Sequence, residues 1–112
     1  MLSKDLVAAS AKPLILSVLS EGESYGYEII QKIKSLSDGN IQWKDGMLYP
    51  VLHRLEQNDL IEAEWQVLEN GRKRKYYRLK DKGKEALENE KKHWMLVHST
   101  FLKLWEAKPC LT

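Results

Sequence analysis

Apolar residues recur at helical spacing in three successive runs before position 58. The first run, Leu6 to Leu19, carries a stripe of Leu14, Ile15, Val18 and Leu19 and ends at Glu21-Gly22-Glu23. Pro13 inside it predicts either a kink or the first turn of a second helical piece. Ser24 then suits an N-cap, and Ile29, Ile30, Ile33 and Leu36 predict a second helix with a buried stripe, broken at Ser37-Asp38-Gly39-Asn40. After a short Ile41-Gln42-Trp43 connection, Asp45 is the expected N-cap of a third helix. Its apolar residues Leu48, Val51, Leu52 and Leu55 fall at i, i+3, i+4 and i+7, and Asn58-Asp59 stops it after about Gln57.

The period then shortens to two. Ile61, Ala63, Trp65 and Val67 alternate with Glu62, Glu64 and Gln66, the pattern of a half-buried strand. Asn70-Gly71 marks a hairpin, and Lys75 to Leu79 is its returning strand. A two-residue loop would set Trp65 against Tyr76, whereas a three-residue loop, Asn70-Gly71-Arg72, sets Trp65 against Tyr77 and Ala63 against Leu79. A one-residue slip turns every side chain to the other face, so the loop that pairs apolar with apolar is expected. From Asp81 to about Ala107 the chain predicts one long helix, roughly 40 Å at its usual rise. Leu87, Trp94 and Phe101 recur every seven positions in it, with Val97 and Leu104 in the offset series and Glu90 interrupting the repeat. Such a helix overhangs a globule made of the first 80 residues. Its aromatic stripe of Trp94, Phe101 and Trp105 stays wet without a partner, so self-association is expected.

Composition narrows the class. With 112 residues, 30% charged and 43% hydrophobic, the chain is expected to fold as one domain. No apolar run approaches the roughly 20 residues of a spanning helix, and no signal-peptide pattern opens the chain, so a cytoplasmic location is expected. The single cysteine, Cys110, is expected to be incidental. Net charge is only +2, but its distribution is uneven. Between Arg72 and Lys84 eight basic residues stand against Asp81 alone, while ten basic and fifteen acidic residues make up the rest. A local excess of this kind is a candidate footprint for a polyanion. No nucleophile with a neighbouring base, phosphate loop or catalytic carboxylate pair is visible, and His53, His93 and His98 lack metal-ligand spacing. Neither an enzyme, a metal site nor a cofactor is expected.

Three helices followed by a hairpin is the plan of a winged helix-turn-helix, with the third helix as recognition helix and the hairpin as wing. The expected fold class is mainly α (α+β). Residues 1–80 form the DNA-binding domain, with the wing at about 60–79, and residues 81–112 form a C-terminal dimerisation helix and short tail. Lys44, Tyr49, Pro50, His53 and Arg54 lie at the third helix off its apolar stripe, where they can reach phosphates or base edges. Arg72, Lys73, Arg74 and Lys75 on the wing suit phosphate or minor-groove contacts. Pro50, counted as the fifth helical residue, is expected to leave the Gly46 carbonyl without its helical partner and so shape the end nearest DNA. A winged-helix module that binds protein and not DNA is the alternative reading.

The motifs "SYGYEII" at Ser24 to Ile30, "LYPVLHRLE" at Leu48 to Glu56, "DLI" at Asp59 to Ile61 and "GRKRKYYRL" at Gly71 to Leu79 follow one another in order. In these the chain resembles the PadR-like transcriptional regulators, named for the repressor of phenolic acid decarboxylation. It departs from them at Asp59, where glycine is common, and at Lys80-Asp81-Lys82-Gly83, where a threonine often opens the long helix. The resemblance implies a repressor that binds a near-palindromic operator as a homodimer, in the smaller subfamily with a single C-terminal helix. That helix would pack on the first helix of the other subunit, placing Leu87, Trp94, Val97, Phe101, Leu104 and Trp105 at the dimer interface. In similar multidrug-sensing members a tryptophan stacks on planar aromatic ligands at the dimer centre. Trp94 matches that tryptophan; Ala9, Pro13 and Leu16 match the facing wall, and Val97, His98 and Phe101 lie beside Trp94 on the same helix.

Overall fold

The computed structural model describes residues 2–106, so Cys110 and the helix end expected at Ala107 lie outside the described residues. In chain order the elements are α1 (Lys4–Ser20), β1 (Ser24–Tyr25), α2 (Gly26–Leu36), α3 (Asp45–Gln57), β2 (Ile61–Val67), β3 (Lys73–Leu79) and α4 (Asp81–Trp105). The strands make one antiparallel sheet in the order β1-β3-β2. Apolar faces of α1, α2 and α3 meet over the inner side of this sheet, with Ile15, Leu16, Ile29, Leu48, Leu52 and Ile61 fully buried. This is a winged helix-turn-helix with a long C-terminal helix.

Several local expectations need correction. Of the two readings of Pro13, the start of a second helical piece is excluded: α1 is a single element in which the proline withholds one N–H and Ser17 Oγ donates to the Pro13 carbonyl at 2.7 Å. Ser24 is not the N-cap of α2. Its backbone pairs with Tyr77 in β1, its hydroxyl donates to Glu28 Oε1 at 2.6 Å, and Tyr25 stands at the cap position without a side-chain bond. Leu36, expected in the buried stripe, ends the helix at 71% exposure. The cap of α3 is Lys44, not Asp45: its carbonyl accepts from the N–H groups of Met47 and Leu48 at 2.9 and 3.0 Å, and Asp45 is the first helical residue. Pro50 is therefore the sixth helical residue, and the carbonyl it leaves unpaired is still that of Gly46, at an exposed turn.

The C-terminal end of α3 is closed tightly. Leu60 N–H donates to the Leu55 carbonyl and Asp59 N–H to that of Glu56, both at 3.0 Å, the paired bonds of a Schellman motif. Leu55 and Leu60, both buried, make its apolar contact. Asp59 carries the left-handed φ of 61° that the motif demands, which is why glycine is the easier residue there.

In the wing the loop is odd in length, as its faces require, but it lies one residue earlier than read from the sequence. Glu69-Asn70-Gly71 is closed by Leu68 N–H donating to the Arg72 carbonyl at 2.7 Å. A three-residue hairpin needs its left-handed residue last, and Gly71, at φ 83°, takes that place. The register consequently shifts by two: Ala63 faces Tyr77, Trp65 faces Lys75 and Val67 faces Lys73. Only the start of β2 is covered, because Trp65 and Val67 remain 62% and 70% exposed.

A single residue, Lys80, separates β3 from α4. The first turns of α4 lie on the core, where Gly83 is buried against the Leu60 carbonyl. Leu87 is only 3% exposed and belongs to the protomer's own core, which removes it from the expected dimer surface. Beyond it α4 leaves the globule, giving a molecule 68 × 30 × 21 Å. Trp94, Val97, Phe101, Leu104 and Trp105 are all exposed, and the rings of Phe101 and Trp105 stack at 4.8 Å.

Candidate nucleic-acid interface

The recognition-helix residues expected at DNA sit together on the surface. Lys44, Tyr49, Pro50, His53 and Arg54 are all exposed on or beside α3, while Leu48, Leu52 and Leu55 are buried behind them. Tyr49 is packed on Gly26, the first residue of α2; a Cβ there would overlap the tyrosine hydroxyl and fall 2.9 Å from its Cζ. The glycine of "SYGYEII" thus gives room to a side chain of the recognition helix. Between α3, the start of α2 and the wing lies an open cleft of about 650 Å³, lined by residues including Tyr27, Tyr49, Trp65, Lys73, Lys75 and Tyr77.

Strand alternation divides the basic run. Lys73 and Lys75 share the face of Tyr77 and look across this cleft, and Lys75 Nζ lies 3.6 Å from Glu56 Oε1 on α3. Arg74 alternates to the other face of the strand, where it and Tyr25 still border the cleft. Its guanidinium lies 3.9 Å from the Tyr25 ring centre and donates to Tyr76 Oη at 3.2 Å, a hydrogen bond that raises its pKa further. Arg78 donates to Glu62 at 2.7 Å and to Glu64 at 2.9 Å; the same bond pulls the Glu62 pKa below its usual value. Lys80 and Lys84 stand within 3.6 and 3.7 Å of Asp59 and Asp81. Of the basic residues expected at DNA, Lys44, Arg54, Arg72, Lys73 and Arg74 have no ion-pair partner among the described residues, Arg74 being held by neutral tyrosines. The uncompensated charge of the wing is therefore concentrated at its tip.

Sequence reasoning missed three contributors to this face. Trp65 and Tyr27 line the cleft, and Glu56 ties β3 to α3. The period-two pattern did place Trp65 on a single face of β2, but the two-residue register shift concealed that Lys75 is its neighbour. Tyr77, at the floor, is buried, and burial, with Glu56 and Tyr49 nearby, pushes its phenol up to about 12.

A second concavity runs between α1 and α4. It has a volume of about 440 Å³ and brings Leu6, Pro13 and Leu14 against Trp94 and Met95. Pro13 and Trp94, both named for the expected effector site, line this one groove. Leu16 does not, because it is fully buried behind α1. Ala9, Val97, His98 and Phe101 are exposed outside the groove lining. Glu90, which interrupts the heptad, accepts from Trp94 Nε1 at 3.2 Å and lies 3.5 Å from Lys12 Nζ, so it orients the tryptophan and links α4 to α1.

An exposed face of α3 and a cationic wing beside it, built on a three-helix core, are the parts of a winged helix-turn-helix. The model of the PadR-like transcriptional regulator family matches residues 15–89, and the chain belongs to that family. A transcriptional regulator of Clostridium thermocellum is similar over 92% of this chain and 97% of its own, with a TM-score of 0.83 and 32% identity. A PadR-like regulator of Bacillus cereus gives 0.81 and 32% over 94% and 100%. A transcriptional regulator of Mycobacterium tuberculosis is 32% identical over 89 residues, covering 80% of this chain and 79% of that one. Among the described residues no helix is long and apolar enough to cross a membrane.

Proposed function

We propose that the protein is a homodimeric repressor that binds a near-palindromic operator through α3 and the wing of each subunit. The observation that carries this reading is the placement of Arg72 and Lys73, without acidic partners, beside the cleft that opens on Tyr49 of α3. Cations left unpaired by the protein are those that release counterions from a phosphate backbone. The aromatic face of α4 supports a dimer in which it would pack on α1 of the other subunit, because a patch of this kind stays wet on a lone subunit. Affinity for a duplex from the protein's own promoter region is expected to fall steeply with salt. The double substitution Arg72→Ala/Lys73→Ala should reduce the slope of log K against log salt by about two, close to one for each phosphate no longer neutralised. A flat salt response, or no binding at low salt, would leave the alternative of a protein-binding winged helix.

The exposure of Trp94 on α4 supports release by a planar aromatic effector bound at the dimer interface, with Trp94 as stacking surface and Pro13, which lines the same groove, near it. Coupling then requires that the effector bind the operator-bound and free dimers with different affinity. Planar aromatic compounds should quench tryptophan fluorescence in the native protein, and the quenching should vanish in Trp94→Ala while the dimer persists. Quenching that survives unchanged would place any such ligand elsewhere.

A further inference from the structure

Trp65 is the largest apolar side chain of the wing, yet it lies 62% exposed, with Val67 beyond it at 70%. Both lie on the face that carries Tyr77, and each has a lysine directly opposite: Lys75 across from Trp65 and Lys73 across from Val67. The wing therefore presents two rungs, each an apolar group beside a cation. Lys75 Nζ lies 6.0 Å from the Trp65 ring and 5.4 Å from that of Tyr77, and its contact with Glu56 keeps it aimed at the cleft. Lysine is depleted at the core of protein interfaces, so this arrangement fits poorly against a protein partner. A nucleic-acid strand, by contrast, alternates phosphate with an apolar sugar face. The two lysines stand two residues apart on one strand, roughly 7 Å, which is close to the separation of neighbouring phosphates.

We propose that Trp65 is a DNA-contacting residue, packing against the deoxyribose between two phosphates, one held by the unpaired Lys73 and one by Lys75, which exchanges its 3.6 Å contact with Glu56 for the phosphate. The inference rests on the DNA-binding reading above and adds to it a neutral, aromatic contact that supplies affinity without counterion release. Duplex DNA is the occupant: its backbone is the ligand on which cations and sugar faces repeat together, and the cleft opens on α3, which presents Tyr49 to it.

The test uses the full chain with its four tryptophans replaced by fluorotryptophan, the Trp65 fluorine resonance being assigned with Trp65→Phe. On addition of a short duplex from the protein's own promoter, the Trp65 resonance is expected to shift. Trp65→Ala should weaken binding by about tenfold while leaving the salt slope unchanged, since the group removed is apolar. Lys73→Ala should instead lower the slope by about one. If the unsubstituted protein binds the duplex with the expected salt dependence but the Trp65 resonance stays in place and Trp65→Ala binds equally well, the inference is overturned and the DNA-binding reading stands. If the unsubstituted protein binds no duplex, both are overturned. The resonance is read in the unsubstituted fold, so the result does not depend on the alanine variant folding.

Discussion

Replacing Gly83 with alanine is expected to lower the unfolding free energy by about 3 kcal/mol, the upper range for forcing one methyl group into a filled space. A Cβ at this position would overlap the carbonyl oxygen of Leu60 and lie 3.0 Å from its carbon and 2.8 Å from Leu79 Cδ1. The leucine side chain can give way, but the carbonyl cannot. It accepts from Lys80 N–H at 3.0 Å, and Leu60 is itself held by the bond from its own N–H to the Leu55 carbonyl. Relief would have to come from sliding α4 off the core, which would also uncover Leu87. Alanine's better helix propensity, worth about 1 kcal/mol, offsets only part of this loss. Denaturant unfolding checks the expectation, with Gly46→Ala as control, since an added Cβ there meets nothing within 4 Å. Equal midpoints for Gly83→Ala and the unsubstituted protein would mean that the approach of α4 to Leu60 is not a tight one.

The second large effect is expected at the other end of the same helix. Phe101→Glu should yield a folded monomer whose operator affinity is weaker by about 100-fold or more, the usual loss when two linked half-sites are engaged one at a time. Phe101 stacks on Trp105 and lies outside the protomer core, so a carboxylate there costs the isolated subunit little. Across a dimer interface it would be buried with its charge unpaired. Sedimentation and operator titration read the two consequences separately. A variant that stays dimeric at full affinity would place the subunit contact on some other surface.

Much of this architecture was legible in the chain because helical and strand periods report burial on a fold's own core. Leu48, Leu52 and Leu55 had to face inward, and Tyr49, His53 and Arg54 therefore had to face out. Where the pattern was blind, the missing information was tertiary. Strand β1 is two residues long, too short for any period, and exists because Ser24 and Tyr25 find partners on β3. Leu87 and Trp94 occupy the same heptad series, but only the first lies over the globule, and spacing alone does not tell a subunit's core from the surface it offers to another. The basic run looked like eight exposed charges; Arg78, Lys75 and Lys80 have acidic neighbours that only the folded chain brings near. Which residues of α3 and the wing lie at the surface could be read in advance, but not the share of their charge that the protein's own acids leave unpaired.

The one-residue junction at Lys80 turns the wing and α4 into the short and long arms of a lever. With the helix about 38 Å long, a tilt of only about 5° about its first turn carries its far end some 3 Å. With a stiff junction, a displacement imposed among the outer aromatic residues would arrive at the hairpin as an angle rather than as a distance. In the homodimer proposed above, two hairpins that each turned by a few degrees would keep their own folds while losing the common spacing that a duplex would require of them.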